Sequence, residues 1–233
     1  MAWWNVLAET DAGRSAEREL LDADDLEPRE LRTNLREMAM LNRLPGGVGT
    51  SVGAVLRTLD GSVDPTVLDV GTGLGDFARH LAQRARVRVV VSDVRDEILV
   101  LARRNLRGTD GVTFLRADAR ALPLPDDAVD VAHASLLLHH LDPPDAIAAL
   151  GELRRVARRG VVVNDLRRGR VANAVTTLTV IALARGRYTR IDGPMSARRA
   201  YTIAELDDLA GAAGLQLVRR TGTWLPRVTS VYR

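Results

Sequence analysis

The chain has 233 residues, 46% of them hydrophobic, and a formal charge of +3, which is enough for one sizeable α/β domain with a helical extension. It contains no cysteine, and all 33 basic residues are arginine. Disulfides, thiolate metal sites, thiol nucleophiles and lysine Schiff-base or general-base chemistry are therefore excluded. Arginines and carboxylates are interspersed without a basic tail, so the charge balance calls for no nucleic-acid partner; the arginine bias fits a GC-rich bacterial genome.

The first residues, MAWWNVLAETDAGRSAERELL, lack a basic segment followed by an apolar one and do not read as a signal peptide, so a cytoplasmic location is expected. Trp3 and Trp4 are expected to anchor this end. Residues 14 to 59 carry leucines and methionines at helical spacing, interrupted by LPGGVG at Leu44 to Gly49. Short β-branched runs follow at 66–70, 87–93, 112–118, 128–134 and 160–166, separated by helical stretches at 75–85, 95–106 and 143–158. Strands alternating with helices imply βαβ units and a buried parallel sheet. An insertion runs from 167 to about 201. Its apolar part, Val171 to Ala184, has 14 residues including three threonines and an asparagine, too short and too polar to span a bilayer. No membrane partner is expected. Thr202 and Glu205 have capping-box spacing at the start of a helix, and Gly214 suits its end. The remainder reads as two strands joined by a short turn. The division this suggests is a helical cap over 1–60 and a main domain over 61–233, with 167–201 as a lid.

The first strand leads into Asp69-x-Gly71-x-Gly73-x-Gly75. A ligand is expected here, between the first strand and the first helix. A dinucleotide fingerprint would need a third glycine at 74 or 76, where the chain has Leu74 and Asp76. Asp76 would also stand at the helix N-terminus and repel a pyrophosphate. The stretch VLDVGTGLG resembles motif I of class I S-adenosylmethionine (SAM) methyltransferases, whose cofactor carries a positive sulfonium and no phosphate. Asp93 ends the second strand, where an acid accepts the two ribose hydroxyls in nucleotide folds. The resemblance is firm over residues 64–166 and extends through YTIAELDDLAGAAGL. It implies a Rossmann-like α/β fold, a seven-stranded, mostly parallel sheet with an antiparallel last strand, to which the chain's own pattern adds an N-terminal helical cap and a helical insertion after the fifth strand. It implies a cofactor set of Asp69, Gly71, Thr72, Gly73 and Gly75, with Asp93, Val94 against adenine, Asp118 and Ala119 at its amino group, and Ser135 at the end of the fourth strand.

The tract after the fourth strand, HASLLLHHLDPPDA, decides the acceptor. DPPD imitates the Asp-Pro-Pro-aromatic signature of base methylases, but Asp145 replaces the aromatic that would stack on a flipped base. LLHHL resembles the corresponding tract of ubiquinone/menaquinone-type C-methylases and small-molecule O-methyltransferases. His139 and His140 are candidate general bases, because a neutral imidazole can take the proton of an aromatic hydroxyl. Asp165 is the candidate to orient one of them, and Asn164 could hydrogen-bond an acceptor. His133 and His80 are expected to be structural, and no metal is expected. Both the lid and the N-terminal segment loosely resemble a bacterial subfamily associated with type III polyketide synthases, implying an aromatic or polyketide-like acceptor. The expected activity is O-methylation of a small hydroxylated molecule by a monomer or homodimer. C-methylation of a quinone-like ring, RNA methylation and a non-catalytic SAM-binding scaffold are the alternatives.

Overall fold

The structure is a computed structural model that describes residues 13–17, 19–23 and 26–233. Trp3 and Trp4 lie outside the described residues. Two helices come first, α1 (Pro28–Leu41) and α2 (Val48–Thr58). The βα units are β1 (Thr66–Val70), α3 (Asp76–Ala82), β2 (Arg88–Asp93), α4 (Asp96–Asn105), β3 (Val112–Arg116), β4 (Val129–Ser135), α5 (Pro143–Val156) and β5 (Ala157–Leu166). The chain closes with α6 (Arg170–Leu183), α7 (Arg187–Arg199), α8 (Ile203–Ala212), β6 (Leu217–Thr221) and β7 (Arg227–Tyr232).

The seven strands form one sheet in the order β3-β2-β1-β4-β5-β7-β6. β7 pairs antiparallel with both β5 and β6, and the other pairings are parallel. The strands are apolar runs because both faces of the sheet are covered. Leu150, Leu153, Leu206 and Leu209 of α5 and α8 pack on one face. Val52, Val55, Phe77 and Leu81 of α2 and α3 pack on the other. The order reverses between β1 and β4, which opens a crevice beyond their carboxyl ends.

Two expectations need correction. The helical pattern over 14–59 yields α1 and α2, but the described residues before Pro28 form only a one-turn 3-10 helix at Leu20–Asp22. There the Leu20 and Leu21 N–H groups donate to the Asp192 carboxylate, at 2.9 and 3.0 Å, instead of to a helical ladder. Pro28 then opens α1, and the Glu27 side chain accepts from the first free backbone N–H groups. The helix expected over 143–158 stops at Val156, and β5 begins at Ala157 rather than at residue 160. Ala157 already pairs with Val129, so the sheet takes residues that local pattern assigns to the helix. The Thr202–Glu205 capping box forms as expected, and Gly214 follows α8 in the left-handed conformation.

Candidate active site

The loop after β1 turns sharply because Gly71, Gly73 and Gly75 all take positive φ, at +69°, +56° and +74°. The Thr72 N–H reaches the Ser92 carbonyl at 3.0 Å, which fixes the loop beside the end of β2. At Gly75 a Cβ would stand 2.5 Å from Leu106 Cδ1. Gly75→Ala is therefore expected to destabilise the fold by about 1–3 kcal/mol, read as a lower urea midpoint with an unchanged slope.

Asp69 is buried beneath this loop. One carboxylate oxygen accepts from Thr72 Oγ1 at 2.6 Å, and the other pairs with His133 Nδ1 at 2.8 Å. His133 is fully buried and stacks on Phe77 with ring centroids 3.7 Å apart. His133 thus holds the acid of the glycine motif, the structural place expected for it. His80 caps nothing in the site; its Nδ1 faces the Asp76 carbonyl within its own helix.

A cavity of about 920 Å³ opens over the crevice, within the roughly 300–1,000 Å³ range of small-molecule sites. Gly71, Thr72, Gly73, Asp93, Val94 and Ser135 line it, as do His139 and His140. Asp93 is buried, and burial pushes its carboxyl up to about 6, against the pull of the Arg95, Gly73 and Val94 backbone N–H groups. Asp76 also lines the cavity; burial raises its carboxyl, while Asn42, donating at 2.5 Å, opposes the rise. Gly75, Asp118 and Ala119 do not line the cavity. Gly75 has turned under the loop as the cap of α3. Asp118 lies in a bend past the end of β3, where the Arg120 guanidinium engages both its oxygens and holds its carboxyl low. Arg116 and Val94 stand on the wall instead.

β4 ends at Ser135, and Leu136 takes a positive φ of 53° before a 3-10 turn over Leu138–His140. Leu136 donates its N–H to the Asn164 carbonyl, which tethers this strained residue to β5. Asp165, next along β5, meets the turn. Its Oδ1 lies 2.5 Å from His139 Nδ1, and its Oδ2 accepts from the Leu138 and His139 N–H groups at 2.8 and 3.3 Å. Burial alone would raise the Asp165 carboxyl; the His139 ring, the Leu166 N–H and the Arg227 charge outweigh it and hold it low. An ionised Asp165 fixes the proton of His139 on Nδ1, so Nε2 is the free nitrogen. His140 stacks obliquely on His139 with centroids 4.3 Å apart and is less buried. Asn164 does not face the cavity as an acceptor ligand would; its amide is spent on the Gly46 carbonyl, Thr229 and Arg227.

Four participants carry no sequence motif. Glu19 Oε1 lies 3.9 Å from His139 Nε2 and 3.8 Å from His140 Nδ1. These three residues are the one grouping among the described residues that could hold a metal ion. Their separations exceed the edge of about 3.3 Å that tetrahedral zinc bonds impose, and the Arg14 and Arg199 guanidiniums already bind the carbonyls of the same turn. Arg227, at the start of β7, donates to Asn164, Asn42 and Ser135 at 2.9, 2.6 and 2.9 Å. Burial pulls its guanidinium down to about 10, so it remains charged at neutral pH. An arginine opening an otherwise uncharged strand, PRVTSVY, is the signal that could have singled it out.

The roof comes from α1, α6 and α7. Asn34 of α1 meets Thr189 of α7 at 3.3 Å, and Glu37 accepts from the Arg185 and Gly186 N–H groups. Arg199 of α7 joins the roof to the histidine turn.

Residues 67–160 match the family model described as a methyltransferase domain. A demethylmenaquinone methyltransferase of Thermus thermophilus is 40% identical over 131 residues, 52% of this chain and 56% of that protein. A malonyl-[acyl-carrier protein] O-methyltransferase of Pectobacterium atrosepticum is 37% identical over 97 residues, 42% of this chain and 36% of that one. The matches thus span from about a third to somewhat over half of these curated relatives. In fold, the chain is similar to a SAM-dependent methyltransferase from Aquifex aeolicus, with a TM-score of 0.61 at 21% identity, over 89% of this chain and 98% of that one. Residues 67–160 thus resemble a methyltransferase domain, set in a fold shared with a solved SAM-dependent methyltransferase.

Proposed function

We propose that this protein methylates a small hydroxylated acceptor, aromatic or polyketide-like, at oxygen, with His139 as general base and Asp165 as its orienting partner. The observation that carries this reading is the Asp165–His139 pair at 2.5 Å on the wall of the cavity that the glycine loop and Asp93 also line. The residues present fit the cofactor. A loop of positive-φ glycines allows close backbone approach, and Asp76 and Asp93 beside it disfavour a phosphate and suit a cation. Asp93, buried with a raised carboxyl, is suited to accept two ribose hydroxyls, with Val94 against the adenine. Gly71, Thr72 and Gly73 would hold the amino-acid end. SAM supplies an activated methyl group when bound.

The chain's own work is then to position the acceptor and manage one proton. An aromatic hydroxyl near pKa 10 is a poor nucleophile until deprotonated. His139 Nε2 receives that proton, and the resulting imidazolium is stabilised by Asp165. Alignment within the cavity contributes up to roughly 7–11 kcal/mol, and the base about 10²–10⁴-fold. In this reading the segment before residue 60 serves as a cap and 167–201 as a lid that excludes water. C-methylation of a quinone-like ring is the second reading, favoured by the demethylmenaquinone methyltransferase relative. The same base would serve it by removing a phenolic proton.

The test is calorimetric titration of SAM and S-adenosylhomocysteine, then an acceptor screen with methyl-labelled SAM. O-methylated phenols among the products are expected. Label on ring carbon would select the second reading, and labelled RNA would overturn both. SAM binding without turnover on any acceptor would point to a scaffold.

A further inference from the structure

Helix α6 has its polarity inverted. Its polar residues face the protein: Asn173 is buried, and Thr176 and Thr179 line the cavity. Its outward stripe, at positions 171, 174, 175, 178, 181 and 182, holds only valine, alanine, leucine and isoleucine. Val171 is 71% exposed, Leu178 66% and Ile181 50%. Ile191 on the adjoining α7 is exposed as well. An apolar face of about three helical turns without one polar side chain is not an ordinary solvated surface.

Its surroundings indicate what covers it. From Leu166 to Ile191 the chain has six arginines and no aspartate or glutamate. Arg170 at the start of α6 and Arg185, Arg187 and Arg190 beyond its end are exposed; Arg185 adjoins Glu37 of α1, whose carboxyl its charge helps to hold low. Two copies of such a face would bring like charges together, which disfavours a self-association. At 14 residues α6 is about 21 Å long, and no helix among the described residues is long and apolar enough to cross a membrane. A helix of this kind, apolar on one side and rimmed by arginine, lies flat in a lipid headgroup layer.

We propose that the outer face of α6, with its arginine rim, docks the protein on an anionic lipid surface. The sequence reading that this stretch cannot span a bilayer stands, since lying in the interface is a different relation, but the proposal departs from the expectation of no membrane partner. Docking would set the cavity's roof against the phase into which a lipophilic acceptor partitions, with Thr176, Thr179 and Val180 as the wall between them. The inference stands independently of which atom is methylated.

The experiment is flotation of the full chain with vesicles of phosphatidylcholine alone and with about one third phosphatidylglycerol. Recovery with the anionic vesicles is expected to exceed that with neutral ones about tenfold and to fall in high salt. Leu178→Asp with Ile181→Asp, and separately Arg185→Gln with Arg187→Gln and Arg190→Gln, should each abolish it. Both variants should keep the thermal midpoint and the SAM affinity. Should the aspartate variant misfold, the glutamine variant decides alone. Absence of wild-type binding to anionic vesicles, or binding that survives both sets of changes, would overturn the proposal. A wild-type dimer that the aspartate variant splits, with no vesicle binding, would assign the face to a second copy instead. Binding to an acidic protein, lost in the glutamine variant and again without vesicle binding, would assign it to that partner.

Discussion

Replacing His139 with alanine is expected to lower kcat about 10²–10⁴-fold and leave SAM affinity unchanged. The argument rests on where Asp165 spends its two oxygens. One binds His139 Nδ1, and the other holds the backbone N–H groups of Leu138 and His139. A single carboxylate therefore fixes the turn, the ring orientation and the tautomer, and Nε2 is left to work. Asp165→Asn should lower kcat as well, because an amide can present its NH₂ to Nδ1 and move the imidazole proton to Nε2. His140→Ala should cost much less, since His140 stacks on the base without contacting Asp165. An alanine variant within about threefold of wild type would remove His139 from the chemistry and leave positioning as the source of catalysis.

The second large effect concerns the cofactor. Asp93→Ala is expected to weaken SAM binding about 10²–10⁴-fold, because two hydrogen bonds to a charged acceptor are worth roughly 1.5–3 kcal/mol each. Titration calorimetry, with the thermal midpoint as a folding control, checks it. The same group predicts a pH dependence. Its free-protein carboxyl lies at about 6 because of burial, and hydroxyl donors favour the ionised form. Binding should therefore be strongest above pH ~6 and fall as pH drops through that value, by up to about tenfold per unit. Flat affinity between pH 7 and 5 would detach Asp93 from the ribose.

The sheet and its helices were readable because their cause is local. Apolar β-branched runs and helical periodicity mark elements wherever one strand or one helix face decides burial. The glycine loop, Asp93 and the Asp165–His139 partnership were readable for a related reason: each sits where the chain turns at a strand end. The failures are non-local. Residues 14–27 have helical spacing, yet the described residues there are tied by Asp192 and Arg199, more than 170 residues away. Asp118 has a strand-end position, but Arg120, two residues on, competes for its carboxylate. Glu19 and Arg227 reach the site only through the tertiary fold, and neither lies in a motif. Arg227 shows the limit most clearly: nothing near it in sequence names Asn42 or Ser135 as its partners.

Arg227 also bears on the order of folding. It belongs to β7, the last strand in the chain, which pairs between β5 and β6. Pairing β5 with β7 joins residues about 60–70 positions apart and β1 with β4 joins residues 64 apart, so both closures are non-local, and β7 differs in needing the last residues of the chain. A nascent chain, or an intermediate without β7, would possess the glycine loop, Asp93 and both histidines. It would lack the guanidinium that clamps Asn42, Asn164 and Ser135 together at the mouth of the crevice. In the proposed reading, tight cofactor binding would report on completed topology rather than on the nucleotide-binding half alone. Ligand-linked stabilisation should accordingly be lost from a chain that ends before β7, which makes the cofactor a probe for chains that have collapsed without finishing their sheet.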